Sequence, residues 1–312
     1  MIASRIVQPR RLQVPLQRSA FIPQLSLSTA LRPLSTFSAR QNAAPSPLSS
    51  SSDASPAPPS KSPALDPRWL TMTKRRIGKC LMFGLKPHQV EEAGQILQQL
   101  ARHWRELIAG SEGFLTDETR RGLFRHNVVW GEMDVMGHVN NVTYVRYAET
   151  ARINFMRNYA IHIDPAHKKE WMNMVNSTGI GLILRSIKVD YKFPMKWPDK
   201  ITVYQKLVHD PSSFPSDQSA FELHVIILSE ARQRPAARCH EEIVTYDYRV
   251  ARKTPLPPFV TEQFKKMWAL QEEAKATWRQ RIQDIESRVR KLEVESWDRE
   301  DAVEDMGSAA GR

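Results

Sequence analysis

The sequence predicts an α+β fold in which an antiparallel sheet wraps around one central helix, with helical extensions at both ends. Three observations predict it. Five strand-like segments follow residue 117, one long helix separates the first strand from the second, and helical periodicity returns before residue 110 and beyond the Pro-rich stretch 254–258. A single helix within one such sheet must bury its apolar surface against that sheet.

The strands are read at 125–130, 186–193, 201–208, 221–228 and 241–250. The second alternates cleanly: Ile187, Val189, Tyr191 and Phe193 point one way, Ser186, Lys188, Asp190 and Lys192 the other. The central helix spans about 141–159. Its polar residues Thr143, Arg146, Thr150, Asn154 and Arg157 form one narrow stripe, which predicts a mostly buried helix.

Ahead of the sheet, Val90, Ala93, Leu97, Leu100, Trp104 and Leu107 recur at helical spacing, with Pro87 suited to a first turn and Gly110 to a stop. A shorter basic helix precedes it around 70–81, where Lys74, Arg75, Arg76 and Lys79 read as solvated charge. Beyond the sheet, Trp278, Ile282, Ile285, Val289 and Leu292 alternate steps of four and three, a short heptad seam that needs a partner. Either a second subunit or the N-terminal helix fits that need.

Composition narrows the function classes. No run of 18 apolar residues occurs, so a spanning helix is unsupported. The two cysteines, Cys80 and Cys239, lack zinc-site or disulfide-framework spacing and read as buried or inert thiols. The net charge of +11 suggests nucleic acid, yet residues 1–40 hold six arginines and no acid, leaving +5 on the rest. An Arg- and Ser-rich, acid-free start without a continuous apolar core is the composition of a mitochondrial presequence. The organisation expected is therefore a presequence at 1–40, a Pro/Ser-rich linker at 41–67, a helical extension at 68–116, the sheet and its helix at 117–252, and a C-terminal helix and tail at 253–312. The compartment expected is the mitochondrial matrix.

The chemistry concentrates between Trp130 and Arg152. The run Trp130-Gly131-Glu132-Met133-Asp134-Val135-Met136-Gly137-His138-Val139-Asn140-Asn141 places two carboxylates, a histidine and two asparagines between a strand end and a helix start. Unpaired N–H groups at a helix N-terminus polarise a carbonyl oxygen placed there. Acyl transfer needs such a donor and also a base or nucleophile, for which Asp134 is the candidate. Asp134 also has a plain reading, as a turn or capping acid.

These residues, followed by Tyr144, Tyr147, Glu149, Ala151 and Arg152, resemble the 4-hydroxybenzoyl-CoA thioesterase-like branch of the hotdog superfamily over roughly 120–250. The resemblance implies a hotdog fold, a homo-oligomer, and an acyl-CoA or acyl-carrier thioester as substrate. It implies catalysis by Asp134, with the backbone N–H of Asn141 binding the substrate carbonyl and Glu132 as the first acid of the element. A His-Val-Asn-Asn segment shared with plant-type acyl-carrier-protein thioesterases maps their catalytic histidine onto His138, which either orients Asp134 or water or caps the turn. The Asn that those enzymes place two residues after the Asp is Met136 here, so a scheme centred on Asp134 gains. Residues 69–113 also resemble an extension of fungal mitochondrial members. Glu149 and Arg152, one turn apart, read as a structural ion pair. Lys188, Lys192 and Lys206 read as solvated strand residues.

The expected activity is thioester hydrolysis without metal or redox cofactor. The competing class is a non-catalytic hotdog protein docked to a mitochondrial assembly, such as the ribosome or another RNA-containing one. A hydratase is disfavoured because no Asp/His arrangement of that kind is present.

Overall fold

The computed structural model describes residues 65–305. The presequence, nearly all of the linker and the end of the C-terminal tail fall outside them.

Two helices come first, α1 (Trp69–Met82) and α2 (Pro87–Ala109). Pro87 sits where a missing N–H costs nothing, and the Gln89 side chain accepts the Lys86 N–H at 2.7 Å to complete the start. Ala93, Ile96, Leu100, Trp104 and Leu107 are buried, whereas Val90 is 48% exposed, so the apolar stripe is rotated slightly from the expected one. The stop also differs. Gly110 carries the chain into one more tight turn, and Gly113, at φ 90°, makes the left-handed exit. Gly110 is there for space: a Cβ would lie 2.5 Å from the Trp278 ring.

The sheet contains β1 (Leu123–Val128), β2 (Ile180–Tyr191), β3 (Asp199–Leu207), β4 (Ala220–Ser229), β5 (Arg234–Asp247) and the two-residue β6 (Arg252–Lys253). Its order is β1-β3-β4-β5-β2, antiparallel throughout, with β6 on β5. Between β1 and β2 lie α3 (Asn141–Asn158) and α4 (Lys168–Asn173). The five expected strands are present with shifted ends. The first stops at Val128, and β5 starts at Arg234 because 234–240 already pairs with β4. The short α4 and β6 carry too few residues to show a period.

Pairing register aligns Gln205, Val225, Cys239 and Val189 across β3, β4, β5 and β2. On this face Tyr144, Tyr147, Ala148 and Ala151 of α3 meet Ile201, Val203, Val225, Ile227 and Cys239. Alternate residues Tyr204, Ile226 and Leu228 point the other way and join a core made by α1, α2 and the last helix. That helix, α5 (Pro258–Glu295), has 38 residues, about 57 Å at 1.5 Å per residue. Its first turns place Val260, Phe264 and Met267 over Phe155 and Tyr159 at the far end of α3. Its later turns place Ile282, Ile285, Val289 and Leu292 against α1 and α2. The heptad seam therefore finds its partner within the chain.

Charges follow the same packing. Arg76 donates to Glu286 at 2.5 Å and Glu293 at 2.7 Å, Arg288 to Glu92 at 2.5 Å, and Lys79 lies over the Trp297 ring. Much of the basic patch of α1 is thus a set of internal contacts and not solvated charge. Lys206 likewise donates to the Glu112 carbonyl and sits 4.9 Å from the centre of the Phe114 ring.

Two expectations about α3 need correction. Its solvent stripe is Val142, Arg146, Glu149, Thr150, Ile153 and Arg157, while Thr143 is buried. Arg152 pairs not with Glu149 but with Glu241 of β5, at 2.6 Å. The physical reason is burial. Glu241 is 1% exposed and Arg152 8%, so each needs the other, whereas Glu149 is exposed and needs no partner. Cys80 and Cys239 are both fully buried, and burial pushes the Cys239 thiol up to about 12. Among the described residues no helix is long and apolar enough to cross a membrane.

Candidate functional site

The segment after β1 folds as a small hairpin that returns to the start of α3. Trp130–Glu132 make one tight turn. Met133 then bridges Val139, Asp134 N–H donates to the His138 carbonyl at 2.8 Å, and Gly137 N–H donates to the Asp134 carbonyl at 3.0 Å. Gly137 has φ 70°, which a β-branched residue would resist, so the glycine read as a turn former is one. The Asn140 N–H reaches back to the Glu132 carbonyl at 2.9 Å, closing the hairpin onto the helix.

Asn140 is the helix cap: its side-chain oxygen accepts the Val142 N–H at 3.0 Å. Asn141 is the first helical residue. Among the described residues nothing accepts its N–H, which leaves a donor at the positive end of the helix. Its carbonyl is fixed from β2 by the Tyr191 hydroxyl at 3.1 Å.

Asp134 stands at the hairpin tip, partly exposed. One carboxylate oxygen accepts the Met136 N–H at 2.8 Å, an Asx turn that fixes the side chain. The other oxygen has no hydrogen-bond donor among the described residues. His138 meets Asp134 through its backbone carbonyl; among the described residues no hydrogen bond joins its imidazole to the Asp134 carboxylate. The structure thus brings Asp134 and the Asn141 amide to one end of α3 and leaves the His138 side chain unlinked to them. Around the tip, Val135 (102% exposed), Met136, Trp130 and Val142 expose an apolar rim.

Glu132 carries more structure than its position suggests. One of its oxygens accepts both the Val129 N–H at 2.8 Å and the Tyr147 hydroxyl at 2.6 Å. Burial, and then the adjacent Glu132 carboxylate, hold the Tyr147 phenol well above its ordinary value, so it stays a donor. Tyr144 accepts the Met195 N–H at 3.2 Å and packs against Tyr191 with ring centres 5.1 Å apart. The hairpin is therefore tied to α3, β2 and the loop before β3. The tyrosines were legible in sequence only as part of a resemblance. One local signal existed for them, since Tyr144 and Tyr147 repeat at helical spacing directly after the cap.

A cleft of about 740 Å³ lies elsewhere, between α2, β1 and the loop carrying Trp197 to Lys200. None of Asp134, His138 or Asn141 lines it. Among the described residues no cluster of three or more His, Cys, Asp or Glu side chains is placed to hold a metal ion.

Comparison with known proteins gives one family match: residues 128–264 fit the model of the thioesterase-like superfamily. No curated protein matches. Among solved structures, the chain is similar to a thioesterase complexed with coenzyme A and Zn from Thermus thermophilus, at 21% identity, with 51% of this chain and 98% of that one covered and a TM-score of 0.37. It is also similar to a DHNA-CoA thioesterase from Staphylococcus aureus, at 19% identity, with 47% and 90% covered and a TM-score of 0.37. A gentisyl-coenzyme A thioesterase matches at 18% identity over 45% and 98% of the two chains, with a TM-score of 0.36. The β1-β3-β4-β5-β2 order with α3 on its face is a hotdog fold, and residues 128–264 within it are the ones that match the thioesterase-like superfamily model.

Proposed function

We propose that this protein hydrolyses an acyl thioester of coenzyme A or of an acyl carrier, acting in the mitochondrial matrix as a homodimer of the 4-hydroxybenzoyl-CoA thioesterase-like branch. The observation that carries the reading is the pairing of a carboxylate with one uncommitted oxygen, Asp134, and an unclaimed helix N-terminal donor, Asn141 N–H, at the same end of α3. In the reaction, water adds to the thioester carbon while Asp134 takes its proton. The carbonyl oxygen gains negative charge and is met by the Asn141 N–H. Collapse of the intermediate breaks the C–S bond, and the departing thiolate takes a proton to leave as a thiol. Direct attack by Asp134 is the variant, passing through an acyl anhydride that water opens. His138 assists by orienting water.

The homodimer is supported by β2, a 12-residue edge strand that among the described residues pairs only with β5. An unpaired edge of that length invites a second strand. The mitochondrial placement rests on the composition of residues 1–40. The docking alternative loses part of its basis, because the heptad seam and Arg76 and Lys79 of the basic patch are engaged inside the chain.

A panel of aliphatic and aromatic acyl-CoAs and acyl-carrier thioesters, with released thiol measured beside Asp134→Ala, tests the activity. Turnover that Asp134→Ala abolishes supports it; no turnover on any member, or turnover indifferent to the substitution, refutes it.

A further inference from the structure

We infer that the cleft between the helical extension and the sheet is a nucleoside phosphate site. Its walls come from four places: α2 through Trp104 and Arg105, the edge strand β1 through Arg125 and Asn127, the loop before β3 through Trp197 and Lys200, and the β4–β5 hairpin. A volume of about 740 Å³ suits a ligand of nucleotide size.

The charges of the cleft are unevenly committed. Glu230 takes Arg105 Nε at 2.8 Å and the Thr202 hydroxyl at 2.6 Å. Asp199 takes the Ser229 hydroxyl at 2.5 Å and the N–H groups of Lys200 at 2.6 Å and Ala231 at 3.0 Å. Both acids are occupied by groups of the protein. Arg125 and Lys200, both exposed, have no carboxylate partner among the described residues. Two uncommitted cations on one rim suit a phosphate, with the guanidinium able to bind it through two N–H groups.

Backbone geometry points the same way. Arg125 has φ 49°, a left-handed conformation that a non-glycine residue adopts at a cost, and it sits where the β1–β3 register shifts. Its N–H is diverted to the Thr202 hydroxyl at 3.2 Å. A bulge of this kind turns a side chain away from the regular strand direction. Gln233 also has positive φ, but the hairpin turn it occupies explains that by itself.

The aromatic component is Trp197, which is 48% exposed and lines the cleft. An indole half open to a cleft offers a face on which a base stacks. Trp197 also links the cleft to the hairpin, its ring standing edge-on to Trp130 with centres 5.7 Å apart. Val129, another lining residue, gives its N–H to Glu132 at 2.8 Å. A ligand here therefore touches residues that adjoin the Asp134 hairpin.

Two sources supply this chemistry: the nucleotide end of coenzyme A, a choice that rests on the thioesterase reading, or a free adenine nucleotide. The test is titration calorimetry and tryptophan fluorescence on the full chain with adenosine 3′,5′-bisphosphate and ADP as probes. Saturable binding of one nucleotide per chain is expected, weakened about tenfold or more by Arg125→Glu and by Lys200→Glu and unchanged by the remote Lys265→Glu. If Arg125→Glu fails to fold, Arg125→Gly, which removes the charge and relieves the backbone, replaces it. No saturable binding at millimolar nucleotide, or equal affinity in every variant, overturns the proposal. The source is read from turnover. A KM that Lys200→Glu raises about tenfold for acyl-CoA but leaves alone for the matching acyl-pantetheine assigns the site to the carrier. Unchanged KM for both, with binding of free ADP retained, assigns it to a free nucleotide. Calorimetry needs no catalysis, so nucleotide binding by a protein that cleaves no thioester would sink the hydrolytic reading and leave this one standing.

Discussion

Replacing Arg152 with leucine should destabilise the protein strongly at neutral pH and much less in acid. Arg152 Nη1 donates to Glu241 Oε1 at 2.6 Å beneath α3, and the second carboxylate oxygen of Glu241 is buried without a hydrogen-bond partner. Arg152→Leu leaves a buried carboxylate opposed by nothing, a change that costs about 3–5 kcal/mol. For a folded unit of this size that is a fall in Tm of roughly 6–20 °C. Burial already holds the Glu241 carboxyl above the usual carboxylate range, with Arg152 pulling it down. Losing Arg152 raises it further. An acid raised in the folded state binds its proton more tightly there than in the unfolded chain, so stability falls as pH climbs from about 4.3 through the folded value. The deficit of the variant should therefore be small near pH 4 and full by pH 7. Adding Glu241→Leu removes the stranded charge and should restore most of the loss, because a buried pair replaced by apolar residues is often neutral. Urea or thermal unfolding of the two single variants and the double variant at both pH values reads this. A cost independent of pH, or additive losses in the double variant, would refute the reasoning.

Ile285→Ala should cost about 2–5 kcal/mol, since Ile285 is fully buried among α1, α2 and α5, and sedimentation should show no change of oligomeric state. Dissociation of an oligomer instead would place the seam at a subunit contact. Tyr147→Phe removes the 2.6 Å bond to Glu132, and the loss of a hydrogen bond to a charged group costs about 1.5–3 kcal/mol, measurable by denaturant unfolding. If Glu132 only decorates the surface, that variant will be as stable as the parent.

The sequence was informative wherever a period or a local turn governs structure. Ile187 and Val189 alternate because one face of β2 is covered, and Asn140 and Gly137 show the helix start and the turn because each acts within a few residues of itself. What depended on distant chain stayed hidden. Glu241 lies 89 residues from Arg152, so nothing local distinguished it from Glu149 as a partner. The second covering of the sheet was not read from the sequence, although Val225, Ile226, Ile227 and Leu228 run without alternation, as in a strand covered on both faces. That the covering elements are α1, α2 and the later turns of α5 required the fold. At the candidate site, the placement of Asp134 in a turn and of Asn141 at the helix start was legible in the motif. Glu132 was named with the motif, but its bonds to Val129 and Tyr147 became visible only in the folded hairpin. The cleft at Arg125 was invisible, because helix, strand, loop and hairpin each contribute a wall.

Asp134→Asn tests the central claim most directly. Asparagine keeps the side-chain oxygen that accepts the Met136 N–H, so the turn and the thermal midpoint should survive while the proton acceptor is lost. With an acyl-CoA that the parent cleaves, kcat/KM measured by released thiol should fall by about 10²–10⁴-fold at unchanged stability. Full activity in Asp134→Asn, or a loss that merely tracks unfolding, would contradict the assignment of Asp134 as the group that activates water.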